Sequence, residues 1–417
     1  MRYIFIVITS FIIVIGGSGC SKIKRLKNDI IKQKTMVTIH GNVMNFTHSK
    51  APIMVVLMKD KGAYPELVDY KIKNSEGSFT FTTRPGKYKV YAWQDLNGNK
   101  RFDADEPIDT TVIWAYLYGM TKNIHLKIKD RASEKLLDEI HYVRKKQVIN
   151  LNKSRMLLGS VISLDNECFS DTNVSNGMIE PYAFLESVPN GLFFLQKYDS
   201  HKKIVLFVHG INGSPRNFRN IIQELDTSKY QALVYYYPSG LKLNMVSELL
   251  ESSMDELRVK LRFKKVSMIA HSMGGLVARD FLNRLILKQD NYINAFITIS
   301  TPWDGHESAG YGVKYSPIIL PVWSDMAPNS EFLKELFVTK LPESTPFYLF
   351  FGYKGISVTA GGNSDGVVSI RSQLRYEAQE QSTLMRGFDE EHMSILKNQK
   401  VINLTKNILD TAFQNSK

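Results

Sequence analysis

The stretch that decides the reading is Lys265-Val-Ser-Met-Ile-Ala270-His271-Ser272-Met273-Gly274-Gly275-Leu276. Its first half is an apolar run of strand length, and residues 276–287 carry apolar side chains at helical spacing. Between them stand one serine and two glycines, so the chain turns sharply where the serine sits. A strand, a tight turn with small neighbours and a helix hold such a hydroxyl at the end of a sheet in a strained backbone position. Position 270, where turns of this kind commonly carry glycine, is alanine and brings one extra methyl.

Upstream, Lys203-Ile-Val-Leu-Phe-Val-His-Gly210 is the continuous apolar run that a parallel strand buried on both faces requires. It delivers His209-Gly210 to its carboxyl end. Residues 157–162 and 191–195 look like strands entering the same sheet. Downstream come Ala295-Phe-Ile-Thr-Ile-Ser300 and Tyr348-Leu-Phe-Phe-Gly352. Asp365 then follows in the loop Ser364-Asp-Gly366, and His392 stands ahead of an apolar helix from Met393. Ala-x-Ser-x-Gly alone occurs often by chance; the ordered set is far more specific. Ala-His-Ser-Met-Gly-Gly, with serine, acid and histidine in this order, resembles the lipase subgroup of the α/β-hydrolase family.

The resemblance spans residues 156–417 and implies an α/β fold with a mostly parallel central sheet. By its pattern Ser272 is the nucleophile, His392 the general base and Asp365 the acid that orients the imidazole. The backbone N–H groups of Ile211 and Met273 form the oxyanion hole. His209 and His271 belong to the two loops and His306 precedes the expected acid, which leaves His392 as base. Asp389, Glu390 and Glu391 read as a solvated helix N-terminus rather than partners of its ring. His271 and Asp304 either border the pocket or serve as structural hydrogen-bonding groups.

Ser300-Thr-Pro-Trp-Asp-Gly305 is similar to the Thr-Pro-x-x-Gly loop of lipases and of deacylases acting on glycolipid inositol chains. Residues 311–326, centred on Ile318-Ile-Leu-Pro-Val-Trp323, read either as a lid admitting acyl chains or as a loop packed on its own domain.

The chain opens with Met1-Arg2, an apolar stretch at residues 3–15 and Gly16-Gly-Ser-Gly-Cys20. A cation, a short apolar core and small residues make a secretory signal. Ending in cysteine, it resembles a bacterial lipoprotein signal: residues 1–19 would be removed and Cys20 lipidated. Gly17 departs from that pattern, which usually has leucine three residues before the cysteine. The other reading is an uncleaved anchor. Both hold an exported protein at a membrane of the cell envelope.

Residues 20–35 set Lys22, Lys24, Arg25, Lys27, Lys32 and Lys34 against Asp29 alone. Beside an anchor this is a basic membrane tether, each cation worth about 1 kcal/mol near anionic headgroups; otherwise it is a solvated spacer. The net charge of +12 thus points to a membrane. Nucleic acid is disfavoured, because the other cations are dispersed and no stacking-aromatic or helix-turn-helix signature accompanies them. Cys20 and Cys168 are too few for a disulfide scaffold or a thiolate zinc site. Cys168 reads as a small core residue.

Residues 36–129 alternate short apolar runs with turn residues, as a small all-β sandwich does. Gly77-x-Phe79, Arg84-Pro-Gly86 and Tyr88-x-Val-x-Ala-Trp93 are similar to transthyretin-like and carboxypeptidase-regulatory-like domains, which are accessory modules. One loop carries oxygen side chains at Asp95, Asn97, Asn99, Asp103, Asp105 and Glu106. Two readings stay open: a loop clamped by structural calcium through Asp95, Asn97, Asn99, Asp103 and Glu106, or an Asn-Gly turn with solvated acids. Residues 130–155 read as a connecting helix.

The expectation is a membrane-anchored serine hydrolase of lipid or phospholipid esters that needs no cofactor for catalysis. An acyltransferase or thioesterase would use the same residues, and a non-catalytic surface-binding module is the alternative of another class. Oligomeric state is not written in the sequence.

Overall fold

The computed structural model describes residues 19–47, 49–61, 65–100, 102–116, 123–129, 158–357 and 362–414. The expected connecting helix at 130–155 and residues 1–18 of the expected signal peptide lie outside them. The chain forms two compact units, one of residues 30–156 with 252–262, the other of residues 1–29, 157–251 and 263–417.

Among the described residues of the smaller unit seven strands follow one another: β1 (Val37–Asn45), β2 (Ile53–Lys59), β3 (Glu66–Lys73), β4 (Gly77–Thr83), β5 (Gly86–Gln94), β6 (Ile108–Ala115) and β7 (Ile124–Ile128). They make a three-stranded sheet, β4-β1-β7, and a four-stranded sheet, β3-β2-β5-β6. Strand β1 alternates as a half-buried strand must, with Val37 and Ile39 inside and Thr38 and His40 outside. Strand β2 is apolar from Ile53 to Met58 because both its faces are covered there. Ile53, Val55 and Leu57 join the core with Ile39 and Phe81, whereas Met54, Val56 and Met58 pack with Tyr70 and Trp93 on the other face.

Among the described residues, the main sheet of the larger unit has eight strands: β8 (Ser160–Val161), β9 (Gly191–Phe194), β10 (Lys203–Val208), β11 (Tyr230–Tyr236), β12 (Val266–His271), β13 (Ile293–Ile299), β14 (Phe347–Gly352) and β15 (Leu384–Phe388). They lie in the order β15-β14-β13-β12-β10-β11-β9-β8. Strands β10 to β15 are parallel, and β9 runs antiparallel to β11. The central strands β12 and β13 are buried at every residue, as expected of a sheet with both faces covered. This is an α/β-hydrolase fold, and the loops leaving the carboxyl ends of β10, β12, β14 and β15 lead to His209, Ser272, Asp365 and His392. The helix expected from Met393 starts later. A single turn, Ser394–Lys397, precedes the helix Gln399–Gln414, and the Asn398 side chain between them accepts the N–H groups of Lys400 and Val401.

The basic stretch near the N-terminus is helical over Gly19–Lys34. Leu26 and Asp29 are buried. The Asp29 carboxylate accepts the N–H groups of Tyr182 and Ala183, at 3.3 and 3.1 Å, in the first turn of the helix Pro181–Ser187. Arg25 pairs with Glu180 at 3.1 Å. Among the described residues no helix is long and apolar enough to cross a membrane.

Candidate active site

Ser272 stands between β12 and the helix Met273–Leu287 with φ 54° and ψ −133°, a conformation that a non-glycine residue keeps only when its surroundings impose it. Its N–H donates to Ile299 O at 2.9 Å, and its carbonyl accepts Gly275 N–H at 2.9 Å. Gly274 is what lets the helix come so close: any Cβ there would run into the carbonyl oxygens of Val208 and His209. The methyl of Ala270 is fully buried, so the turn accommodates it.

The loop after β10 lies against the serine, and a Cβ on Gly210 would come within 2.8 Å of Ser272 Cβ. His209 fixes this loop from beneath. It is fully buried, bonded through Nδ1 to Gly210 O at 2.9 Å and stacked on Tyr237 at 4.1 Å. Burial pushes its imidazole down to about 4, so it is neutral. Ile211 follows, and Asn212 N–H is held by Ser239 Oγ at 3.0 Å. The N–H of Met273 opens its helix and has no acceptor within it.

Asp365 and His392 meet as the sequence predicts. Asp365 Oδ2 and His392 Nδ1 are 2.7 Å apart, and His392 N–H donates to Asp365 O at 2.8 Å. Asp365 Oδ1 accepts the N–H groups of Val367 and Val368, at 3.0 and 2.7 Å. Burial works to raise the acid's pKa, yet the hydrogen bond and charge of His392, with the two N–H groups, hold it below the usual carboxylate value. Against an ionised carboxylate, Nδ1 therefore carries a proton and donates. Ser272, Asp365 and His392 are all buried. Among the described residues no hydrogen bond joins Ser272 Oγ to His392, a gap common in sites without substrate. Glu390 is engaged elsewhere, accepting from Asn398 Nδ2 at 2.6 Å and from Ser394.

Three further side chains hold these loops: His271, which the sequence offers as a structural hydrogen-bonding group, and His306 and Gln373, which escape a linear reading. His271 Nε2 lies 2.9 Å from His392 O. His306 Nε2 lies 2.9 Å from Val367 O, while its Nδ1 accepts Ser308 N–H at the start of the helix Glu307–Tyr315. Gln373 bridges Gly352 and Val368, donating to both carbonyls at 3.0 Å and accepting Gly352 N–H. Only the His271 position, beside the serine, carries a sequence signal.

Elsewhere, Trp303 of the Ser300–Gly305 segment is core, edge-on to Phe296, Phe337 and Phe347. Of residues 311–326, 311–315 end the helix Glu307–Tyr315, 321–326 form the helix Pro321–Met326 and 316–320 connect the two, with Gly312 seated against Trp323. Asp304 lies near Arg371, at 3.8 Å. Cys168 is a buried thiol that burial pushes up to about 11. Among the described residues no three His, Cys, Asp or Glu side chains gather as metal ligands.

Residues 247–315 match the sequence pattern of the lecithin:cholesterol acyltransferase family. That segment holds Ser272 and the Ser300–Gly305 loop but neither Asp365 nor His392. No curated protein matches the chain. Among solved structures, the mature lipase BlEst2 of Bacillus licheniformis is 19% identical, with 54% of this chain and 98% of that one covered and a TM-score of 0.42. Aspergillus fumigatus lipase B is 14% identical over 53% of this chain and 56% of its own, at 0.40. The Pyrococcus furiosus esterase Pf2001 is 16% identical over 51% and 84%, at 0.37. The fold assignment stands on the strand order and the strained serine turn of this chain.

Proposed function

We propose that this protein is a serine hydrolase of carboxylic esters, acting on lipid or phospholipid acyl chains from a membrane to which lipidated Cys20 holds it. The observation that carries the reading is the buried Asp365–His392 pair, 2.7 Å apart, on loops that open at the same sheet edge as the strained Ser272.

Ser272 Oγ attacks the ester carbonyl as its proton passes to His392 Nε2, and the N–H groups of Ile211 and Met273 receive the oxyanion. His392 returns the proton to the leaving alkoxide, giving the alcohol and an acyl-Ser272. Water, deprotonated by the same imidazole, then releases the acid and restores the serine. Asp365 remains ionised throughout and stabilises the imidazolium.

Apolar residues stand exposed beside the acid and the base, Val367 at 45% and Met393 at 46%, which suits an apolar substrate. The basic, lipoprotein-like N-terminus favours a substrate in a membrane. The match to the acyltransferase pattern favours a second reading, in which an alcohol replaces water in the last step. A panel of short esters, triglyceride and phospholipid vesicles, with and without an alcohol acceptor, tests both readings. Hydrolysis that is absent from Ser272→Ala supports the first, and a new ester formed with the acceptor supports the second. Inactivity of the folded wild type on every ester contradicts both.

A further inference from the structure

The loop between β5 and β6 has no part in this chemistry, yet it is built at a cost that demands an explanation. Asp95 and Glu106 stand at its two ends and both are buried, Glu106 completely. Neither has an ion-pair partner among the described residues. Glu106 is tied to the loop backbone, accepting Leu96 N–H at 2.8 Å and Asp103 N–H at 2.9 Å. Asp95 Oδ2 accepts Lys100 N–H at 3.1 Å, which aims the carboxylate into the loop, but the buried Oδ1 has no partner at all. Among the described residues these two buried carboxylates thus have no counter-charge and one keeps an orphan oxygen, an arrangement that is costly unless a cation joins them.

The remaining side chains already crowd one point. The amide ends of Asn97 and Asn99 lie 2.8 and 2.6 Å from Asp103 Oδ2. Oxygens sharing one calcium ion at about 2.3–2.6 Å stand roughly 3 Å from one another. Half a turn of the Asn99 amide exchanges its nitrogen for its oxygen, whereas Asn97 Oδ1 accepts Asn99 N–H at 3.0 Å and gives up that bond if it turns to face the ion. The donor set is thus mixed carboxylate and amide rather than a cluster of three acids. It consists wholly of oxygen, with no thiolate or imidazole, and it sits in a loop, which suits calcium rather than zinc or copper. Lys100, with φ 60°, supplies the left-handed turn at the middle of the loop.

We infer that the β5–β6 loop is a calcium site, with Asp95 Oδ1, Asn97, Asn99 and Asp103 as its ligands and Glu106, both of whose oxygens already accept backbone N–H groups, holding the loop around it. The ion joins the ends of β5 and β6, and its role is to hold the sandwich rather than to take part at Ser272. Trp93, edge-on to Phe102 at 6.2 Å, packs beside the loop and gives an optical reporter.

The full-length protein, stripped with chelator, is titrated with calcium chloride while heat and tryptophan fluorescence are followed, and its Tm is measured with and without the ion. One calcium per chain is expected, with a Kd at or below about 10⁻³ M, the range of extracellular modules, and magnesium binding at least about tenfold weaker. The Tm of the sandwich rises with calcium. Asp95→Asn removes the binding. Because that change lies in a buried position, Asn99→Ala is the second variant: Asn99 is exposed, so the protein folds and binding weakens at least about tenfold. Wild type that shows no heat and no Tm shift at about 10 mM calcium overturns the proposal. So does a shift of equal size in both variants, which would place the ion elsewhere.

Discussion

His271 Nε2 lies 2.9 Å from the carbonyl oxygen of His392, so the residue that precedes the strained Ser272 holds the main chain of the histidine bonded to Asp365. The two rings stand 4.7 Å apart. Burial, followed by the nearby His392, pushes the His271 imidazole down to about 3, so it is neutral. A neutral ring bonded to a carbonyl must donate, which fixes the proton on Nε2. The serine turn and the base loop are thereby pinned to each other, and the distance from Ser272 to His392 depends on this bond.

His271→Ala should therefore lower kcat about 10- to 100-fold, the cost of losing one buried donor, with KM nearly unchanged. His271→Gln, which keeps a donor, should recover part of the loss. Steady-state kinetics on a soluble ester checks this, together with the acid limb of kcat/KM. That limb should stay in place, because His271 is already neutral there. An acid limb displaced in His271→Ala would show that His271 itself titrates in catalysis.

Asp365→Asn should keep the geometry but free His392 to adopt the wrong tautomer, lowering kcat about 10⁴-fold. Glu390→Gln, which touches only the helix start through Ser394 and Asn398, should stay within a few-fold of wild type. Comparable losses in the two variants would mean that the orienting acid has been misassigned.

The strands, the serine turn and the order of the candidate residues Ser272, Asp365 and His392 were legible because each is a local pattern: apolar runs of strand length, small residues around a serine, an acid and a histidine in loops. What is not legible is which loops touch. His271 binds a carbonyl 121 residues away, His306 one that is 61 away, and Gln373 joins a strand end to the acid loop. None of these residue types carries a signal for such a contact. Asp29 is the same case in the N-terminal helix: a lone acid among cations looks like chance, yet it accepts two backbone N–H groups of the helix Pro181–Ser187.

Acid should weaken the larger unit. His209 and His271 are held neutral in the fold, at about 4 and about 3, whereas the unfolded chain protonates its histidines near 6.5. The unfolded state thus binds more protons below 6.5, so stability is complete above that pH and declines as pH falls towards 4, by on the order of 3 kcal/mol for His209 alone. Urea midpoints from pH 7.5 to 4.5 should fall, and His271→Gln should flatten the slope. Midpoints that rise on acidification would refute this.

Cys20→Ala should release the protein from membranes into the soluble fraction, because a basic segment alone binds weakly and reversibly. Fractionation of expressing cells with a salt wash reads this directly. Retention of the variant after the wash would favour an uncleaved anchor over a lipidated cysteine.

Most directly, the purified protein is treated with a fluorophosphonate probe and the labelled peptide is read by mass spectrometry. On this account the wild type carries one adduct, on Ser272, and Ser272→Ala carries none while remaining folded. His392→Ala and Asp365→Asn label far more slowly. A folded wild type that takes no label, or that labels equally in Ser272→Ala, would contradict the assignment of Ser272 as nucleophile and with it the reading of this fold as a serine hydrolase.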